Sequence, residues 1–129
     1  MTPADGDRIL RDNFAPSVQD LGLTVEEVGD GRATLRLPWS DRLAREGGGL
    51  SGQALMAAAD TATVIAVSGA RGGFVPMTTV QQPTFQRPVV GTDVLVKVQV
   101  TKLGRTPAFA DVTMTAGGAT AGTVYALLA

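Results

Sequence analysis

The 129-residue chain reads as an α+β fold in which one antiparallel sheet wraps a long central helix. Three observations predict it. From Gly52 to about Ala70 there is no proline, much alanine and a single charge, Asp60. A helix apolar nearly all round must be covered on most sides. After Arg71-Gly72-Gly73 the character changes: Met77–Gln86, Thr92–Leu103, Thr106–Thr115 and Thr120–Leu128 are rich in Val and Thr. The lengths also match, since a helix of about 19 residues and a strand of about ten span about 28 and 33 Å.

The remaining elements follow in order. Residues 1–17 form a helical segment, with Ile9, Leu10 and Phe14 on one stripe, and Pro16 discourages continuation through Ala15. Leu21–Val28 and Arg32–Pro38 flank Gly29-Asp30-Gly31. Ala33, Leu35 and Leu37 alternate with Arg32, Thr34 and Arg36, which predicts a hairpin with one wet face. A polar, glycine-rich loop runs from Trp39 to Gly49, and Ser51 is placed to cap the long helix. The late strands are separated by Pro88–Gly91, Gly104-Arg105 and Gly117-Gly118, all turn chemistry, so the last three form a meander. The sum is a single domain, residues 1–129, in the hotdog arrangement.

Composition narrows the chemistry. With no cysteine and no histidine, Ser-His-Asp and Cys-His nucleophiles and the usual zinc sites are excluded. Eleven basic and twelve acidic residues give a formal net charge of −1, which argues against nucleic acid as a partner. The start, MTPADGDRIL, is not a signal peptide, which implies the cytoplasm. Leu50–Ala70 is long enough for a membrane span, but Asp60, Gln53, Thr61, Thr63 and Ser68 argue against one. What remains is carboxylates, hydroxyls and backbone N–H groups.

Asp60 is the residue to explain. One reading is a helix aspartate that reaches solvent or pairs with Arg71 or Arg87. The other is a nucleophile or general base in a partly dry site, where burial disfavours the charged form. Gly52 favours the second. The helix opens there beside GGGLSG, with unpaired N–H groups and the positive dipole end pointing outward. That terminus can stabilise an oxyanion, and glycine lets a carbonyl approach closely. Eight residues separate Gly52 from Asp60, about 12 Å along the axis, too far to act on one carbonyl. Two antiparallel copies of the helix in a symmetric dimer would set Gly52 of one against Asp60 of the other.

SGQALMAAADTA resembles the motif of hotdog-fold acyl-CoA thioesterases of the phenylacetic-acid-degradation (PaaI-like) type, in which His-Gly-Gly opens the helix and an Asp follows eight residues after the first Gly. The strand block MTTVQQPTFQRPVVGTDVLVKVQVTKLGRTPAFADVTM is similar to that family's from about Arg45 onward. The resemblance implies hydrolysis of an acyl-CoA thioester by a homodimer or homotetramer. It makes Asp60 the catalytic carboxylate, Gly52 the N–H that polarises the carbonyl, and Thr78 the hydroxyl that positions water. The chain departs from the motif at Ser51, where the family has His, and at Arg45, where it has Asn. Those departures keep open a non-catalytic acyl-CoA-binding protein on the same fold. Gly48 matches a family glycine, and Gln53 joins the substrate-binding set.

Arg87, Lys102 and Arg105 are placed to meet the phosphates of coenzyme A, or are ordinary turn charges. Only one of Gln81 and Gln82 can face inward with the acyl pocket. Leu55, Met56, Met77, Phe85 and Phe109 are the candidates for lining it. Thr61 and Thr63 are read as packing or back-bonding in the helix. No metal or redox cofactor is implied; coenzyme A enters as part of the substrate.

Overall fold

The fold, a computed structural model describing residues 1–129, is built around helix α3, Gly52–Arg71. Ser51 caps it, its hydroxyl accepting from the Ala54 N–H, and Gly72 ends it at a φ of 85° that favours glycine. By length and apolarity α3 resembles a membrane span, but 67% of the relevant window is buried inside this fold.

Six strands cover it: β1 (Thr24–Gly29), β2 (Arg32–Leu37), β3 (Thr79–Phe85), β4 (Val94–Leu103), β5 (Ala108–Ala116) and β6 (Ala119–Leu128). All pairings are antiparallel, in the order β1-β2-β4-β5-β6-β3. The expected meander is thus β4-β5-β6. The predicted β2 alternation holds, with Ala33, Leu35 and Leu37 buried. They join Val94, Val96, Val112, Met114, Val124 and Leu128 against Ala58, Ala62, Ile65 and Val67 of α3. Thr61 and Thr63 bond back to the carbonyls of Ala57 and Asp60 at 2.8 Å each, as packing residues would. Bulges near Val100 and Met114 bend the long strands around the helix.

The N-terminal segment is two helices rather than one: α1 (Pro3–Asn13) and α2 (Pro16–Gln19). Pro16 stops the first as expected, but its fixed φ also suits the first position of the second. α1 lies over the edge strand β1. The Asp7 carboxylate accepts the Val25 N–H at 2.9 Å, and Gly6 sits where a Cβ would be 2.9 Å from Val25.

The opposite edge, β3, is open. Thr78 and Ala129 exchange both backbone bonds, at 2.9 and 3.0 Å, and the Gln86 N–H reaches the Ala121 carbonyl at 2.7 Å. Even-numbered residues therefore turn their peptide groups to β6, and odd-numbered ones turn theirs to the free edge. Pro83, which has no N–H, falls on the free side and breaks no bond of the sheet.

Candidate active site

The site is assembled at the N-terminus of α3. The Ala54 N–H is taken by the Ser51 hydroxyl at 3.1 Å and the Leu55 N–H by the Ser51 carbonyl at 3.2 Å. The N–H groups of Gly52 and Gln53 have no acceptor within the chain, so the positive end of the helix presents two free donors. They adjoin a cavity of about 330 Å³ lined by Arg45, Gly52, Leu55, Phe85, Arg87 and Val89, among others.

The loop before the helix is tightly folded. The Arg45 N–H donates to the Gly49 carbonyl at 2.8 Å and the Gly48 N–H to the Arg45 carbonyl at 3.0 Å. The Arg45 guanidinium folds back over this loop, donating to the Glu46 carbonyl at 2.8 Å, and would touch a Cβ on Gly47 or Gly49. Gly47 and Gly48 have φ of 96° and 88°, which favours glycine at both. Leu50 then donates to the Val89 carbonyl at 2.9 Å, fixing the helix start beside the segment that carries Arg87.

Asp60 lies two turns along α3. Gly52, Met56 and Asp60 are spaced four apart, so they share one helix face, and Met56 and Asp60 are exposed on it. Neither Arg71 nor Arg87 pairs with Asp60, whose carboxylate has no ion pair and no hydrogen bond. Arg71 instead donates to the carbonyls of Gly104 and Thr106 at 2.9 and 3.2 Å, tying the β4–β5 turn to the far end of the helix. The dry environment expected of Asp60 is not provided by the single chain.

Arg45, Gly52 and Arg87 therefore line this cavity and Gly48 shapes its loop, whereas Ser51 and Gln53 border a second cavity with Arg42 and Ala57, and the other candidates lie elsewhere. Lys102 and Arg105 stand by the β4–β5 turn, at the opposite end of α3 from Gly52. Thr78 is exposed just before β3, and the buried hydroxyl belongs to its neighbour Thr79, the first residue of the strand. Of the two glutamines, Gln81 faces inward, its side-chain amide donating to the Met56 carbonyl at 3.1 Å. Phe109 alternates with buried Ala108 and Ala110, so it lies on the outer face and does not line the pocket. Phe85 covers Gly52, a closeness invisible in the sequence because it depends on β3 crossing the helix there.

The family model described as the thioesterase superfamily matches residues 47–123, from the glycine loop into β6. The chain belongs to the thioesterase superfamily. Zebrafish thioesterase superfamily member 2 is similar in structure, with a TM-score of 0.86 and 23% identity over 98% of this chain and 96% of that one. The E. coli PaaI protein from the phenylacetic acid degradation operon has a TM-score of 0.82 and 15% identity over 99% and 94% of the two chains. A hypothetical thioesterase from Streptococcus pneumoniae, solved with coenzyme A, has a TM-score of 0.75 and 16% identity over 82% and 83%. At these identities the likenesses establish the hotdog fold. A search of curated proteins finds no match.

As chemistry, a helix terminus can stabilise charge on a carbonyl oxygen, and a carboxylate such as that on α3 can activate a nucleophile.

Proposed function

We propose that this chain hydrolyses acyl-CoA thioesters as a homodimer, alone or paired into a tetramer, in the cytoplasm. The observation that carries the reading is the pairing, on one helix face, of free Gly52 and Gln53 N–H groups with an unpartnered Asp60. About 12 Å along the axis separates them, so a complete site needs a second copy. Antiparallel apposition of two α3 helices brings Asp60 of the second copy to Gly52 of the first. The open β3 edge supports such an association, because its free peptide groups can accept another strand. The apolar outer face with Val80, Phe109, Tyr125 and Leu127 suits the packing of two dimers.

In this reading the thioester oxygen takes the Gly52 N–H. Asp60 of the second copy removes a proton from water as the oxygen adds to the carbonyl carbon, or adds to that carbon itself and forms an anhydride that water then cleaves to free acid and carboxylate. The tetrahedral oxyanion is held at the helix terminus until the carbon–sulfur bond breaks and the coenzyme A thiolate leaves, taking up a proton. Thr78 of the second copy holds the water. Arg87 of one copy, with Lys102 and Arg105 of the other, meets the coenzyme A phosphates, because antiparallel helices put the far end of one beside the start of the other. The coenzyme A held by the Streptococcus pneumoniae relative supports that choice of ligand. No metal takes part in this reading, consistent with a chain that lacks histidine and cysteine.

A second reading is a binder of acyl-CoA without turnover. It is favoured by the engagement of both departures from the family motif in structure: Ser51 in the cap and Arg45 in the loop. Thiol release from a panel of aliphatic and aryl acyl-CoAs decides between them. Turnover of at least one supports hydrolysis. Calorimetric binding without thiol release overturns it in favour of the binder.

A further inference from the structure

We propose that Gln81 selects the acyl group, its side-chain oxygen accepting a hydrogen bond from a hydroxyl or amide N–H that the acyl group carries. The inference rests on the acyl-CoA reading and adds to it the class of acyl group. The odd-numbered residues of β3 face α3, and Phe85 lies over Gly52 while Gln81 lies over Met56. Passing from the carbonyl site toward Asp60, the seam between strand and helix therefore meets Gln81. Its Nε2 donates to the Met56 carbonyl at 3.1 Å. That carbonyl stands one helical turn before Asp60, at the position where it accepts the Asp60 N–H. Turning the amide over would set oxygen against oxygen, so the nitrogen is fixed on the helix and the oxygen is directed elsewhere.

That oxygen is buried and has no partner. In the whole chain only one other buried side-chain polar atom lacks a partner, the Thr79 hydroxyl, two residues away on the same strand face. An apolar acyl chain would leave the Gln81 acceptor unmet, which is costly in a buried place, whereas a donor on the acyl group satisfies it. The Thr79 hydroxyl, able to donate or accept, can serve the same substituent. A site built this way rejects the analogue that lacks the group.

The test uses hydroxyacyl-CoA thioesters with the hydroxyl moved along the chain, each matched to its deoxy counterpart, assayed by thiol release. Wild type is expected to favour at least one hydroxylated member by about a hundredfold in kcat/KM. Gln81→Met is expected to reduce that ratio to near one while still hydrolysing the deoxy ester. Equal turnover of every matched pair by wild type overturns the inference and leaves the hydrolase reading intact. A preference that persists in folded Gln81→Met, judged by melting and gel filtration, also overturns it. If no thioester is turned over, the hydrolase reading fails, and calorimetry on the same pairs decides the selectivity by the same ratio. Should Gln81→Met not fold, Thr79→Val and the wild-type ratio decide it: a ratio near one overturns the inference.

Discussion

The Phe85 ring stands 3.3 Å from the point that a Cβ on Gly52 would occupy. Glycine at the start of α3 thus does two things: it accepts a ring laid across it and leaves its own N–H open. Gly52→Ala is tolerated by the fold, because the ring need yield by only a few tenths of an ångström. The new methyl, however, crowds the approach of a carbonyl. We expect a melting temperature within a few degrees of wild type and a loss of about a hundredfold in kcat/KM, roughly 2.7 kcal/mol.

Asp60 separates chemistry from stability cleanly. Its carboxylate is exposed and holds nothing in the single chain. Asp60→Asn should therefore shift stability by no more than about 0.5 kcal/mol. Turnover should fall by about 10²–10⁴-fold, the usual yield of a positioned acid or base. A loss below about tenfold removes Asp60 from the mechanism.

Ser51 serves as the cap of α3, its hydroxyl accepting from the Ala54 N–H. Ser51→Ala should cost about 1 kcal/mol. In a domain of this size that lowers the melting temperature by about 3–5 °C. Ser51→Asn, which keeps an oxygen for the Ala54 N–H, should melt close to wild type. If both variants melt alike, the cap is not what Ser51 contributes.

Asp93 carries the acid sensitivity of the sheet. The Trp39 N–H at 2.8 Å and then Arg36 at 3.3 Å hold its carboxyl below the ordinary value of 3.8. Its stabilising contribution is therefore fully present above about pH 4 and is lost as pH falls through the lowered folded value. Melting temperatures of wild type and Asp93→Asn should differ most near neutrality and converge below pH 4. Curves that stay parallel down to acid pH refute the assignment.

Local signals were enough for most of the fold. Ser51 and Gly72 bracket α3, and the alternation of Ala33, Leu35 and Leu37 assigns the buried face of β2. The position of β3 beside β6, away from β4, was not legible because it rests on pairing distant in sequence. Proline was half legible: Pro16 marked a stop, but not the start of α2. At the site, spacing alone identified the separation of Gly52 from Asp60 along α3. It did not identify which of Thr78 and Thr79 is buried, because that depends on strand parity set by the Ala129 pairing. Nor could it reveal that Arg45 spends its charge on its own loop.

Pro83 and Asp7 together determine how far such a sheet can grow. The β1 edge is occupied by the Asp7 carboxylate and interrupted by the bulge between Val25 and Glu27. Growth in that direction is terminated within each molecule. The β3 edge remains reactive, but Pro83 removes a donor from its middle, and a register that sets Pro83 against Pro83 forfeits bonds on both strands. A molecule with one reactive edge can join one other and then has none left. With the β1 edge closed, a single open edge limits edge-to-edge growth of such a sheet to a pair, not a fibre.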